Sequence, residues 1–303
     1  MSLPLKELIQ IGETQLVEAG IADAAIDAKE LYCFLMHVDR MRLMLKWQDI
    51  LQDNQCEAYF DLISKRASHI PLQHITGVQE FMGFSFQVNE KVLIPRQDTE
   101  TMVEDALEVM KKNTLRGQPL PSKGKKNWSI LDLGCGSGAI GISLALSDSD
   151  AKVVCSDISR DALAVAEKNA DILGCKSVKF VESDMFAAFY GKLSNKKFDM
   201  IISNPPYIPR DVIATLEPEV KDHEPLGALD GGEDGLDFYK KIAEEAPNFL
   251  KKDGVLMMEI GHDQMAEVTA LFASSERYSF VTGLKDLAGR DRIVVAILAP
   301  KSK

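Results

Sequence analysis

The sequence predicts an α/β fold in which a mostly parallel sheet is wrapped by helices and is preceded by a small all-helical region. With 303 residues, the chain is long enough for about two domains. From Trp128 onward, short apolar runs alternate with helical patterns, which is typical of parallel strands joined by helices. Residues 1–74 instead carry apolar residues at helical spacing.

Residues 1–74 are predicted to form a helical domain that positions a partner. Cys56, Tyr59 and Ile63 share one helical face after an expected cap at Asp53, and Pro71 follows the end of that helix. Because the histidines of this region have no neighbouring metal-ligand residues, no metal site is expected.

Residues 75–94 are predicted to form a β-hairpin linker, because Phe84, Phe86 and Val88 alternate and Gly83 lies where a hairpin turns. A helix with an acidic first turn is expected over Thr99–Lys112, followed by an exposed loop over 113–127.

Residues 95–303 are predicted to form the second domain, with seven strands. They are Ile130–Leu133, Val153–Cys155, Val178–Val181, Met200–Ile202, Val255–Ile260, Tyr278–Lys285 and Ile293–Leu298. The segment Ile208–Asp237 is expected to be a loop with at most short helical pieces, and long loops in compact domains are usually functional or disordered.

Composition narrows the class of protein and its location. The net charge of −11 argues against a broad basic surface for nucleic acid. The five cysteines show neither C-x-x-C pairing nor regular spacing, as expected of reduced thiols. Lys6 and Glu7 stand where a signal peptide would need an apolar core, and no apolar run approaches membrane-spanning length. A cytoplasmic protein without membrane association is expected.

A glycine-rich loop follows the first strand of the second domain, in the order DLGCGSGAIG from Asp132 to Gly141. Glycines allow a backbone to approach a ligand, and the next helix offers free N–H groups. Gly136, Gly138 and Gly141 also fit the G-x-G-x-x-G spacing of a dinucleotide site, and Asp157 suits ribose hydroxyls in either kind of site. Asp132, placed for the amino-acid end of the ligand, and Asp184, placed for an adenine edge, favour S-adenosylmethionine.

The stretch FDMIISNPPY, from Phe198 to Tyr207, leads from a buried strand into a rigid turn. Neither proline has an N–H, so the turn presents acceptors, namely the Asn204 side-chain carbonyl and the Pro205 main-chain carbonyl. Tyr207 adds an aromatic wall. Such a cradle suits a planar NH2 group with two donors and a face to stack, as in a glutamine amide or adenine. A simple strand-to-loop exit is the alternative.

Four segments in order resemble the HemK/PrmC family of protein N5-glutamine methyltransferases, which modify peptide chain release factors. They are PLQHITGVQEFMGFSFQVNEKVLIP from Pro71, DLGCGSGAIGISLA from Asp132, SNPPYIP from Ser203 and HEPLGALDGGEDGLDFY from His223. The resemblance covers nearly the whole chain. It implies a five-helix N-terminal domain, a hairpin, and a class I S-adenosylmethionine-dependent methyltransferase domain with a seven-stranded sheet.

The resemblance also implies the site residues. Those it implies for the cofactor are Gly134, Cys135, Gly136, Ser137, Gly138, Asp157, Met185 and Asn204, and Asp184 is added because it follows the third strand. Those expected to bind substrate are Asn204, Pro205, Pro206 and Tyr207, of which Asn204, Pro205 and Tyr207 are the expected catalytic residues. The sequence departs from the family at Met185, where an aromatic is usual, and at Gln97 and Asp98, within the usual PRPETE.

The expected reaction transfers a methyl group from S-adenosylmethionine to a glutamine N5 in a release factor, leaving S-adenosylhomocysteine. The alternatives are a glutamine methyltransferase of a ribosomal protein, an adenine N6 methyltransferase, and a cofactor-binding interaction protein without catalysis. The acidic balance disfavours direct binding of nucleic acid.

Overall fold

The computed structural model describes residues 2–122, 125–190 and 196–300. Contacts divide the chain into two units. The first is Met1–Val78 together with Glu217–His223, and the second is Gln79–Leu216 together with Glu224–Lys303. The first unit is therefore built from two separate stretches of chain.

The elements follow one another in chain order. The first are β1 (Leu3–Pro4), α1 (Leu5–Glu18), α2 (Ala24–Met36), α3 (Arg40–Leu45), β2 (Ile50–Leu51), α4 (Asp53–Ala67), α5 (Leu72–Thr76), β3 (Val78–Phe81) and β4 (Phe84–Gln87). Next come α6 (Gln97–Lys112), β5 (Thr114–Leu115), β6 (Gln118–Pro119), β7 (Ser129–Leu133), α7 (Ala139–Ser147), β8 (Lys152–Asp157), α8 (Arg160–Ile172), β9 (Val178–Glu182) and α9 (Ala187–Tyr190). The last are β10 (Phe198–Ser203), α10 (Arg210–Ile213), α11 (Pro218–Lys221), α12 (Leu226–Leu229), α13 (Asp237–Glu245), β11 (Leu250–Glu259), α14 (Met265–Ala273), β12 (Tyr278–Lys285) and β13 (Asp291–Leu298).

The first unit packs helices α1 to α5 around one apolar core, in agreement with the expected five helices. The strands β1 and β2, which the sequence did not predict, pair antiparallel. The cap expected at Asp53 is wrong, because α4 begins at Asp53 and its cap is Gln52. Gln52 donates its main-chain N–H to the Gln55 side chain at 3.0 Å, while Asp53 accepts from the Ser2 hydroxyl.

Residues 217–223 complete the first unit through a buried ion-pair cluster. The guanidinium of Arg66, which is buried, donates to Asp27 at 2.6 Å and to Glu219 at 3.1 Å. His69 Nδ1 lies 3.0 Å from the same Glu219 oxygen. A buried charge requires such partners, so Glu219 contributes to the stability of the first unit.

The second unit contains a seven-stranded sheet in the order β12-β13-β11-β10-β7-β8-β9. The strands β11, β10, β7, β8 and β9 are parallel, and the antiparallel β13 and β12 extend the sheet. All seven predicted strands are confirmed, with ends that differ by up to five residues. All six residues of β10 are buried, as expected of a central parallel strand.

Two loops test the predicted connections. The loop expected over 113–127 is wrong in part, because β5 and β6 form a small antiparallel hairpin that buries Leu115, and Leu120 is buried just beyond it. Residues 123 and 124 of that loop lie outside the described residues. The prediction for Ile208–Asp237 is confirmed, because this part of the chain has only the four-residue helices α10, α11 and α12.

The predicted hairpin is formed by β3 and β4, with Met82 and Gly83 at its turn. Both turn residues have positive φ, 53° and 74°, which matches the right-handed twist of the paired strands. Among the described residues, no helix is long and apolar enough to cross a membrane.

Candidate active site at the carboxyl edge of the sheet

The register of three adjacent strands brings the predicted site residues to one edge. Ser203 of β10 pairs with Leu133 of β7, which pairs with Ser156 of β8. Since the strands are parallel, Asn204, Gly134 and Asp157 are the next residues of three neighbouring strands, which lie about 5 Å apart. The chain runs from β7 outward to β9 and then returns to β10 on the other side of β7. The site therefore lies at the switch point where ligands bind in open α/β sheets.

The glycine loop between β7 and α7 has a backbone that other residues would strain. Gly134, Gly136 and Gly138 have φ of 75°, 53° and 80°. A Cβ on Gly134 or Gly136 would meet no heavy atom within 4 Å, so one side of the loop is open. A Cβ on Gly141 would lie 2.4 Å from Cys155 Sγ, so this glycine lets α7 pack directly on the sheet.

Asp157 ends β8 and is fixed by main-chain donors on both sides. Its Oδ2 accepts the Gly136 N–H at 2.8 Å, and its Oδ1 accepts the Ser159 N–H at 2.9 Å. Each carboxylate oxygen retains a second acceptor position. The carboxylate is therefore held beside the glycine loop and can accept further hydrogen bonds, as ribose hydroxyls require.

Asp132 lies beneath the glycine loop and is fully buried. Its Oδ2 accepts the Gly141 N–H at 2.8 Å, whereas its Oδ1 has no hydrogen-bond partner among the described residues. Burial raises the pKa of Asp132 to about 7, although the Gly141 N–H lowers it. An orphaned carboxylate oxygen under an open glycine loop fits a ligand that carries a positive charge.

Asp184 and Met185 follow β9 on the other side of Asp157. Asp184 is exposed, and Met185 is half-buried with φ of 47°. Ser183, which the sequence did not indicate, holds this turn. Its hydroxyl donates to the Met185 carbonyl at 2.7 Å and accepts the Ala188 N–H at 3.0 Å, while its N–H donates to the Asp157 carbonyl. The main chain of Met185 is thus held directly after β9, and a thioether side chain at this position can form a flexible apolar wall against a ring.

The turn from Asn204 to Tyr207, called the substrate turn after its expected role, begins directly after β10. Pro205 is buried and the other three residues are half-buried. Asn204 Nδ2 donates to Thr99 Oγ1 at 3.4 Å. Within the described part of the chain, neither Asn204 Oδ1 nor the Pro205 carbonyl accepts a hydrogen bond. Two acceptors thus remain available on one turn, as the sequence predicted.

Tyr207 is braced from behind. Its carbonyl accepts from Gln264 Nε2 at 3.0 Å, and a Cβ on Gly231 would lie 2.7 Å from Tyr207 Cα. A Cβ on Gly235 would lie 2.4 Å from the Tyr207 carbonyl oxygen. Burial raises the pKa of the Tyr207 hydroxyl to about 12, so the ring stays neutral near pH 7. The glycines after residue 230 therefore let a second loop press against the substrate turn.

Thr99 and Glu259 are two buried polar residues that the sequence reasoning missed. The Thr99 hydroxyl, in the first turn of α6, donates to Glu259 Oε2 at 2.6 Å. Glu259 ends β11, the strand next to β10, and is 2% exposed. Glu259 could have been found from the sequence, because a charged residue ends an apolar strand in the stretch MMEIG.

Two further residues tie the segments around the site. Glu224 is buried and accepts the Ile94 N–H at 3.2 Å and an Arg96 donor at 2.6 Å. Asn169 of α8 donates to the Ser137 carbonyl at 2.9 Å, which supports the glycine loop from below. Among the described residues, no group of three or more His, Cys, Asp or Glu side chains could hold a metal ion.

The fold and this edge define a methyltransferase domain, and a family model of that description matches residues 124–290. A second model, the PrmC N-terminal domain, matches residues 7–77. The chain is 37% identical over 264 residues to a release factor glutamine methyltransferase of Bacillus cereus, which covers 87% of this chain and 89% of the relative. It is 36% identical over 295 residues to a protein of the same name from Clostridium botulinum, covering 96% and 98%. The chain belongs to the release factor glutamine methyltransferase family.

A solved structure is also similar in part. It is titled protein-(glutamine-N5) methyltransferase (release factor-specific) from Alicyclobacillus acidocaldarius, is 31% identical, and has a TM-score of 0.42 over 71% of this chain and 100% of that chain. The family expected from the four sequence segments is confirmed by the curated relatives and the two family models.

Proposed function

We propose that this protein transfers a methyl group from S-adenosylmethionine to the side-chain amide nitrogen, N5, of a glutamine in peptide chain release factors. The observation that carries the proposal is the substrate turn, which leaves two acceptor oxygens beside the glycine loop and Asp157. Membership of a family whose curated members are named for this activity supports the same reaction.

The residues at the sheet edge suit each part of the cofactor. Gly134 to Gly138 form the open loop for its amino-acid end, with the orphaned Asp132 oxygen beneath. Asp157 is assigned to the ribose hydroxyls, and Asp184 and Met185 to the adenine. When bound, S-adenosylmethionine supplies an electrophilic methyl group on a positively charged sulfur.

A glutamine amide is a poor nucleophile because its nitrogen lone pair is shared with the carbonyl. Asn204 Oδ1 and the Pro205 carbonyl would accept one N–H each and hold the nitrogen in line for attack. Both oxygens carry partial negative charge, so they stabilise the positive charge that develops on nitrogen. Tyr207 supplies a neutral wall against the amide plane.

The nitrogen would gain the methyl group as the sulfur–methyl bond breaks and S-adenosylhomocysteine is left, and the nitrogen would then lose one proton to water. Because proton loss follows transfer, the reaction needs no strongly basic side chain at the nitrogen. The substrate turn supplies hydrogen-bond acceptors, which suits this order of events.

The helical first unit, which matches the PrmC N-terminal domain, is proposed to position the protein substrate. Its substrate would be a folded release factor, and the net charge of −11 supports a protein partner over nucleic acid. A cytoplasmic location, where release factors act, is part of the proposal.

The proposal is tested by incubating the purified protein and labelled S-adenosylmethionine with release factors, ribosomal proteins and DNA. The label is expected on one glutamine of a release factor, located by mass spectrometry. Asn204→Ala is expected to lower turnover by at least about a hundredfold. Labelling of a ribosomal protein or DNA in place of a release factor would overturn the proposal. Full activity of Asn204→Ala would mean that Asn204 shapes the turn and nothing more.

A further inference from the structure

We infer that Thr99 and Glu259 are positioning residues that hold the Asn204 amide with its oxygen, and not its NH2 group, toward the substrate nitrogen. The inference rests on the proposed function, because it concerns the same glutamine amide. It adds two residues that act through Asn204.

The three side chains form one chain of hydrogen bonds across three elements. Asn204 Nδ2 donates to Thr99 Oγ1 at 3.4 Å, and Thr99 Oγ1 donates to Glu259 Oε2 at 2.6 Å. Thr99 is 4% exposed and Glu259 is 2% exposed, so water does not compete for either group. Glu259 is separated from Thr99 by 160 positions in the sequence.

The protons in this chain fix its direction. An ionised carboxylate only accepts, so the single hydroxyl proton of Thr99 goes to Glu259. Thr99 Oγ1 can then only accept from its other neighbour, which selects the NH2 end of Asn204. The Asn204 Oδ1 is left for the substrate. If the Asn204 amide were turned by 180°, its NH2 group would face the NH2 group of the substrate. Two sets of donors would then meet, and the transition state would lose an acceptor.

The charge of Glu259 decides this direction, and several groups act on it. Burial raises the pKa of Glu259 to about 7, against the Thr99 hydroxyl and the charge of Arg292, which lower it. The other groups that face Glu259 are Asp98 and Arg96 at the start of α6, Tyr207 on the substrate turn, and Tyr239 of α13, whose hydroxyl donates to the Glu259 carbonyl at 3.0 Å.

Protonation of Glu259 would reverse the order of donors. A protonated carboxyl can donate to Thr99 Oγ1, which can then donate to Asn204 Oδ1 and turn the amide NH2 toward the substrate. Turnover of the bound complex is therefore expected to rise with pH through about 7, as Glu259 ionises. A glutamine amide does not titrate in this range, so the rise comes from the enzyme.

The test measures kcat and KM from pH 6 to 9 on a release factor, using Thr99→Val, Thr99→Ser and Glu259→Gln. Thr99→Val keeps the shape and removes the hydroxyl. It is expected to lower kcat by on the order of tenfold or more, since a small misplacement of a reacting group costs up to about a hundredfold. It is also expected to flatten the rise of kcat near pH 7. Thr99→Ser keeps the hydroxyl, so this variant is expected to retain most of the wild-type kcat and the rise of kcat near pH 7.

Glu259→Gln is expected to lower kcat and to abolish the rise near pH 7. Asp132 also has a pKa raised to about 7. The Glu259→Gln variant shows which of the two carboxyl groups causes the rise of kcat near pH 7, because the rise persists in this variant if Asp132 is its source. Glu104→Gln and Thr101→Val lie on α6 outside this chain of hydrogen bonds and serve as matched controls.

The inference would be overturned if folded Thr99→Val and Glu259→Gln both had wild-type kcat and the same rise of kcat near pH 7 as the wild type. That result would leave the proposed function intact if Asn204→Ala were inactive in the same assay. Conversely, failure of the wild type to methylate the release factor would overturn the proposed function itself, whereas full activity of Asn204→Ala would overturn only the role of Asn204 and the inference that depends on it. Circular dichroism and cofactor binding of each variant show whether it is folded.

Discussion

At the residue scale, Asn204 offers the sharpest change, because one atom distinguishes asparagine from aspartate. Asn204→Asp keeps the size and an acceptor, and under the proposed mechanism its charge would attract the positive charge that develops on the substrate nitrogen. The variant also loses the NH2 donor to Thr99 and places an extra buried charge beside the site. Turnover on a glutamine-bearing release factor is expected to fall between those of wild type and Asn204→Ala.

Single-turnover kinetics on a release factor check this order, with DNA as a second substrate. Neither variant is expected to gain activity on DNA. An Asp variant slower than the Ala variant would show that the added charge costs more than the retained acceptor supplies.

Asp157 is proposed to govern cofactor affinity more than turnover. If its carboxylate accepts both ribose hydroxyls, Asp157→Ala should weaken S-adenosylmethionine binding by about 1.5 to 3 kcal/mol, the range for hydrogen bonds to a charged group. Calorimetry measures the change. Asp161→Ala, an exposed acid on the first turn of α8, is the matched control. Unchanged affinity in folded Asp157→Ala would remove this residue from the site.

Glu259 is expected to lower stability at neutral pH. Its pKa is raised in the folded protein from 4.5 to about 7, so the folded state binds more protons than the unfolded state between these values. Stability contributed by this group is therefore present below pH 4.5 and is lost as pH rises through about 7. The two pKa values correspond to about 3 kcal/mol.

Glu259→Gln should therefore lose less stability than wild type between pH 5 and pH 8. Urea unfolding at both pH values measures the difference, and Glu104→Gln, an exposed carboxylate on α6, is the control. Equal losses in wild type and Glu259→Gln would contradict the burial argument. If Glu259→Gln is more stable than wild type at pH 8 but has lower turnover, the buried charge of Glu259 is retained for function at a cost in stability.

At the scale of elements, the loop after α12 fixes the position of the substrate turn. A Cβ on Gly231 would lie 2.7 Å and 2.8 Å from Tyr207 backbone atoms, which cannot move aside as a side chain can. Gly231→Ala is expected to displace the turn and to lower turnover by at least about tenfold, since small misplacements of a reacting group cost up to a hundredfold. Cofactor affinity should stay within about twofold.

Gly227→Ala is the matched control for this change. Gly227 lies in α12, just before the loop, and a Cβ at this position meets no heavy atom within 4 Å. Kinetics and calorimetry on both variants separate turnover from cofactor binding. Equal turnover in the two variants would mean that the substrate turn holds its shape without this brace.

The strands were predictable from sequence because buried parallel strands are nearly continuous apolar runs, as in β10. The glycine loop and the substrate turn were predictable because their chemistry is local. Thr99 and Glu259 were missed because their meeting depends on two elements 160 positions apart. The hairpin of β5 and β6 was missed because each strand has two residues, too few for a pattern.

At the scale of the whole molecule, a chain that begins at Gln79 tests the role of the helical unit. This truncated protein is expected to bind S-adenosylmethionine but to methylate an intact release factor poorly, because the proposed positioning unit is removed. The measurement compares kcat/KM on the intact release factor with kcat/KM on a short glutamine peptide, for both lengths of chain. A loss confined to the intact substrate is expected, and equal turnover of intact release factor by both chains would contradict the positioning role.

That truncation also removes Arg66 and His69 and leaves Glu219 behind without them. Since Glu217–His223 belongs to the first unit, the boundary between the units is crossed three times along the chain. A gene cut once near residue 78 therefore does not yield two whole modules. Exchange of the helical unit between relatives, by recombination or by design, requires the seven residues of the return segment to be exchanged with it.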